Sequence, residues 1–347
     1  MTAGDRPPAE GAGAAGGRRL NVDVHAHLVP EAAFARAPRG LRANPMPERD
    51  EIGLVVEGRG AGRGAPPALR DLVVHREQQA ARGVDVSLLG PWIDMVKAPL
   101  DAAVQHAWCQ VLNDELAAAT KSTDHSRFLA ALPDLDGGRA AEELERAVAL
   151  GAVGALLAAN PDQGNLDRDD FEPLWQAAER MRRPIVLHPG EFAPPQRLAR
   201  YFMVNLVGNP FETTLAVGSL AGAGVPERYP DLRLILVHGG GFFPYQYARM
   251  AAGFERWPAL APLRRRSPAE LLRWFHYDTV LFDDAPTRYL LDLVGDERVL
   301  AGSDCPFAMS DHRPWERPSS LGLDQGAANR VLGANAARLF GLSATSH

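Results

Sequence analysis

The chain has 347 residues, 37 Lys+Arg against 43 Asp+Glu, and a formal net charge of −6. Mild acidity spread along the chain speaks against a nucleic-acid partner. No run reaches the ~18 apolar residues of a membrane span, and Cys109 and Cys305 are too few for a disulfide framework and wrongly spaced for a zinc finger. A reducing, cytoplasmic setting is therefore expected.

Residues 1–19 are rich in Gly, Ala and Pro and lack the apolar core of a signal peptide. They are expected to be a disordered lead-in. From residue 20 the chain alternates short apolar runs with amphipathic stretches. The runs are Asn21–His25, Val84–Gly90, Phe128–Leu132, Ala152–Ala159, Pro184–His188, Arg233–His238, Tyr277–Phe282 and Arg298–Ser303. Each is nearly continuous in Val, Ile, Leu and Ala, as strands buried on both faces are. Helical spacing marks Leu100–Thr120, Arg139–Leu150, Arg168–Met181, Ala285–Val294 and Asp324–Phe340. Eight strands, mostly followed by helices, point to an α/β fold, a (β/α)8 TIM barrel. The alternative, a doubly wound sheet, usually places a Gly-rich phosphate loop after its first strand, where this chain has HAHLVP. Residues 30–67 break the alternation. They are read as a small insertion after strand one, with one strand-like patch at Ile52–Glu57. Leu263–Ser267 (LRRRS) is read as a solvated loop, and the excess of arginine (35, against two lysines) as coding bias.

Four strand ends carry histidine or aspartate. Strand one ends DVHAH, with His25 and His27 on the same side of the strand. Strands five, six and eight end in His188, His238 and Asp304. Barrel active sites form at these C-terminal ends, so all five residues would line one mouth. Any one of them has an ordinary structural role open to it. Yet four of only ten histidines fall at these ends, which independent placement explains poorly. Three imidazoles and a carboxylate suit one divalent ion, zinc first, with manganese or iron as alternatives.

The order HxH, HP, HGGGxxP, GSDxPF resembles the amidohydrolase superfamily, and more narrowly its branch with aminocarboxymuconate-semialdehyde decarboxylase and the γ-resorcylate and 5-carboxyvanillate decarboxylases. The resemblance runs from Leu20 to Leu342 through GVDVSLL, NPFETTLAV, HGGGFFPYQYAR, VLAGSDCPF and GANAARLFGL. It implies one barrel over residues 20–343. It also implies that His25, His27, His188 and Asp304 hold a single metal, and that His238 acts as general acid/base on the metal's water. Substrate carboxylates would be held by Arg249, reaching the partner's site in a homodimer, and by Arg63. Arginine suits this because its planar fork grips a carboxylate with two bonds. Lys97 and Lys121 end no barrel strand, so a lysine-bridged pair of metals is not expected. The chain departs from the branch at HPGE (His188–Glu191), where HPWD is frequent, and at Cys305, where an aromatic is usual. Glu191 is read as a salt-bridge partner of a loop arginine, with a substrate contact as the alternative, and Trp92 as a pocket wall or a core aromatic.

The implied activity is non-oxidative decarboxylation of a carboxylated aromatic or muconate-like acid. Two rivals stand beside it. One is hydrolysis of an amide, ester or lactone with the same metal and histidine. The other is metal binding without catalysis, which an intact His238 argues against. No partner other than a small carboxylic acid and a second subunit is expected, neither nucleic acid nor membrane.

Overall fold

The computed structural model describes residues 20–38, 41–46, 51–56, 64–97, 100–161, 164–190, 196–263 and 266–342. The proposed lead-in 1–19, Arg63, Glu191 and part of the LRRRS cluster lie outside them. In chain order the strands are β1 (Val22–His27), β2 (Leu41–Met46), β3 (Glu51–Val56), β4 (Gly64–Ala65), β5 (Val86–Gly90), β6 (Ser126–Ala131), β7 (Gly154–Ala158), β8 (Ile185–His188), β9 (Leu234–Leu236), β10 (His276–Asp278) and β11 (Val299–Leu300). Eight of them make one parallel sheet in the order β1-β5-β6-β7-β8-β9-β10-β11. The sheet closes where β1 returns to the chain after β11: Val24 N donates to Ala301 O at 3.0 Å and His27 N to Cys305 O at 2.8 Å. This is the expected barrel, with β2, β3 and β4 forming a separate antiparallel sheet between its first two strands.

Period-two alternation builds two apolar layers. In β7, Ala155 and Leu157 pack with the helix residues Leu144, Leu174 and Trp175. Their neighbours Leu156 and Ala158 pack with Val186, Ile235 and Leu300 inside the barrel. In β10 only Tyr277 joins the apolar layers, while His276 and Asp278 on either side of it are buried polar residues. That strand was expected to run on to Phe282, but it ends at Asp278 and Phe282 has φ 63°.

Several helices start where aspartates cap them. Asp101 accepts from Ala103 N and Val104 N before the helix Ala102–Thr120, and Asp136 from Arg139 N before Gly137–Ala149. Such caps contribute ~1 kcal/mol each. The last expected helix is broken into Gln325–Asn329, a π turn Arg330–Ala334 and Asn335–Phe340. The break coincides with a close backbone approach: a Cβ on Gly333 would lie 1.9 Å from Leu20 O. Among the helices not singled out in the sequence are Asn209–Ala223 and Phe243–Arg256. The first carries exposed Phe211 and Leu215 opposite its buried face, which blurs helical periodicity.

Candidate metal centre at the barrel mouth

The strand ends bring the histidines together as expected. The His25 ring centre is 5.1 Å from that of His27, 5.0 Å from His188 and 5.2 Å from His238. His27 and His188 are 5.1 Å apart, and His188 and His238 5.2 Å. Asp304 sits among them. Its Oδ1 is 3.3 Å from His25 Nε2 and 3.1 Å from His27 Nε2, and its Oδ2 is 3.5 Å from His238 Nε2. One donor atom each from His25, His188, His238 and Asp304 lies within 4.8 Å of all the others, a group able to hold a metal ion. His27 joins this group through Asp304. His238 therefore stands as near the common centre as the residues expected to be ligands.

The outer ring nitrogens are anchored. His25 Nδ1 is 2.6 Å from Asp278 Oδ2, His27 Nδ1 is 2.9 Å from Pro91 O, and His188 Nδ1 is 2.8 Å from Pro189 O. Each can donate its Nδ1–H outward, which leaves an Nε2 lone pair facing the centre. The Nε2 atoms of His25 and His188 are buried without any hydrogen-bond partner among the described residues. Buried polar atoms are rarely left so, and a divalent cation would satisfy both.

The electrostatics agree. Burial disfavours the Asp304 carboxylate, but His25, His238 and His27 around it hold it well below the usual range. Burial would lower His25, yet Asp304 and Asp278 outweigh it and raise it to about 10. His188 is pushed far down, by burial first and then by the neighbouring imidazoles. The centre is thus a buried anionic cage that favours positive charge.

The local backbone is built for this. His238 and Asp304 have φ of 53° and 61°, in the left-handed region where non-glycine residues store strain. After His238, the chain turns through three glycines. A Cβ on Gly241 would sit 2.3 Å from Pro210 O, so the motif needs glycine to pack against the helix Asn209–Ala223.

A cavity of about 200 Å³ opens above the centre, lined by His188, His238 and Asp304 with Trp92, Phe202 and Phe307. Trp92 is thus a pocket wall. Its Nε1 donates to Asp94 Oδ2 at 3.1 Å, and its ring lies 5.5 Å from Phe307. Arg249 is exposed on the helix Phe243–Arg256 and does not line the cavity of its own chain. Lys97 caps the short helix Ile93–Val96. It is fully buried, with Nζ 2.5 Å from Asn160 O and 3.4 Å from Asp134 Oδ2. Its stem fills the space beside Gly190, where a Cβ would lie 2.1 Å from Lys97 Cδ. Sequence reasoning missed Asp278, which holds His25 and accepts from Gly239 N and Val280 N. Its signal was the one acid within the run Tyr277–Phe282.

Residues 22–342 match the amidohydrolase family model. The 2-amino-3-carboxymuconate-6-semialdehyde decarboxylase of Dictyostelium discoideum is 32% identical over 238 residues, 67% of this chain and 66% of that one. The alignment thus spans just under two thirds of that relative's length. Among solved structures, the apo IDCase of Metarhizium anisopliae superposes with a TM-score of 0.81 at 20% identity, covering 94% of this chain and 98% of that one. The dihydroxybenzoic acid decarboxylase of Polaromonas, solved with manganese and 2-nitroresorcinol, superposes with a TM-score of 0.74 at 21% identity, covering 94% and 98%. The chain belongs to the amidohydrolase family, in its aminocarboxymuconate-semialdehyde decarboxylase-like branch.

Proposed function

We propose that the protein is a metal-dependent non-oxidative decarboxylase of a carboxylated aromatic or muconate-like acid. The observation that carries this is the pair of buried, unpartnered Nε2 atoms of His25 and His188 beside Asp304, beneath an aromatic-walled cavity. With His27 they form the ligand set for one divalent ion, zinc by preference, manganese or iron by the same donor chemistry. When bound, such an ion supplies Lewis acidity and offsets carboxylate charge.

The remaining work falls to the protein. About 200 Å³ is room for one ring and its substituents, since a ~150 Å³ apolar cavity already admits benzene. Trp92 and Phe307 flank the ring and exclude water. His238 reaches the cavity and carries the proton delivered to the ring carbon. The bond from that carbon to the carboxyl group breaks, CO₂ leaves, and the proton takes its place. The test is CO₂ release from phenolic and muconate-like acids by metal-loaded protein. Turnover of esters or lactones with no CO₂ from any acid would overturn the reading in favour of hydrolysis.

Arg249 and Arg63 are the proposed carboxylate clamps, Arg249 acting in the site of a homodimeric partner. In support, the helices Asn209–Ala223 and Phe243–Arg256 expose Phe211, Leu215 and Tyr245. Mixing Arg249→Ala with His238→Asn protein gives dimers in which one site carries both lesions and the other neither. Random exchange should restore about a quarter of wild-type activity, because half the dimers are mixed and each holds one intact site. If verified mixed dimers stay inactive, the clamp does not act in trans.

A further inference from the structure

At the opposite end of the barrel, β9, β10 and β11 begin at the wall of a second cavity of about 780 Å³. Arg233 immediately precedes β9, His276 opens β10, Arg298 immediately precedes β11, and Arg338 projects from the last helix. Arg273 and Arg266, the latter from the LRRRS cluster, complete the basic lining. Five arginines face three carboxylates there, Asp231, Glu270 and Glu297, an excess of two positive charges.

These cations are poorly compensated. Arg266 pairs with Glu227, but Arg233, Arg273, Arg298 and Arg338 have no carboxylate partner among the described residues. Among the described residues, Arg233 donates to the carbonyls of Leu339 and Arg182, and Arg338 to Glu297 O and Asn335 Oδ1. Burial and then Arg182 and Arg338 lower the pKa of Arg233, and burial and then Arg338 lower that of Arg298. Two donors are left over as well. Arg298 Nη1 donates to His276 Nε2 at 3.3 Å, so the neutral ring carries its hydrogen on Nδ1. That Nδ1 and Trp274 Nε1 are both buried without a partner among the described residues, and both residues line the cavity. Arginines in excess of their carboxylates, beside buried N–H groups without acceptors, favour an acceptor-rich anion.

We propose that this cavity is a second ligand site, for a dianionic phosphate group, either free or carried as a monoester by a small molecule. Guanidinium forks match phosphate oxygens two at a time, and a dianion cancels the excess charge of the lining. The site is independent of the chemistry at the mouth.

The test is calorimetric titration of the metal-loaded full chain at constant ionic strength, with inorganic phosphate in one arm and phenyl phosphate in the other. One site per chain is expected. Arg298→Gln and Arg233→Gln should each weaken it about tenfold or more, the worth of a charge-assisted hydrogen bond. Arg273→Gln, at an exposed position, tests the same point without risk to folding. His25→Ala should leave the binding intact, which separates it from phosphate held by the metal. Equal affinity in both arms points to free phosphate, and tighter phenyl phosphate to a monoester. No binding at about 10 mM, where a 1 mM site would be nearly saturated, overturns the proposal. So does binding that is lost with His25→Ala and unmoved by the arginine changes.

Discussion

His25 and His276 are both buried histidines in strands of the same barrel, one at each end, and they are driven in opposite directions. His25 is raised to about 10 by Asp304 and Asp278, against the effect of burial. His276 is lowered to about 3 by burial and then by Arg298, Arg338 and Arg233. Desolvation opposes charge on both rings; at His25 the neighbouring carboxylates overcome it, and at His276 the arginines add to it. The mouth is a cage of negative potential shaped for a cation. The floor is a basin of positive potential shaped for an anion. One scaffold supports both because strand ends present side chains at each rim of the sheet, and only the residue types differ.

The sharpest way to break the comparison at the mouth is to remove its proton carrier. His238→Asn should keep the metal and lose ~10²–10⁴-fold in turnover, measured with metal content checked by elemental analysis. His25→Ala and His188→Ala should instead lose the metal, and exhaustive chelation should abolish activity that zinc or manganese restores. Normal turnover in His238→Asn would leave that histidine a structural role only.

A smaller effect is expected one layer out. Asp278→Asn removes the charge that orients His25 and keeps a hydrogen-bonding side chain of similar shape. Metal affinity should fall ~10–100-fold, read by competition with a chromophoric chelator. Unchanged affinity would mean that the His25–Asp278 contact at 2.6 Å does not tune the site.

The two ends also differed in how far the sequence revealed them. Histidine is scarce, so His25, His27, His188 and His238 stood out where apolar runs end. Arginine is everywhere in this chain, and Arg233, Arg298 and Arg338 come from separate segments that only barrel closure joins. Asp278 was hidden for another reason. The expected strand ran through it to Phe282, whereas the backbone leaves the sheet at Asp278 and turns its carboxylate to His25. The barrel itself was legible because apolar runs such as Gly154–Ala158 are buried on both faces. The break in the helix before Phe340 was not, because it accompanies a backbone contact between Gly333 and Leu20.

The floor can be probed without any ligand, through pH. The unfolded chain protonates His276 near its ordinary value of 6.5, while the folded protein keeps it neutral down to about 3. Between these values the unfolded state binds the extra proton, so stability is full above pH 6.5 and declines as pH falls towards 3. By pH 5 the loss from this one group is ~2 kcal/mol. His75, lowered to about 4 by burial, adds a decline of the same sign. His276→Gln keeps an acceptor for Arg298 and cannot titrate. Urea unfolding at pH 7.5 and pH 5, in buffers free of phosphate, should therefore show wild type losing ~2 kcal/mol more than the variant. Contributions from the metal ligands and from His75 cancel in this double difference, since they lie away from the substituted ring. If wild type and variant lose stability equally, the arginines at the floor do not impose the positive field described, and the contrast between the two ends of the barrel fails at that end.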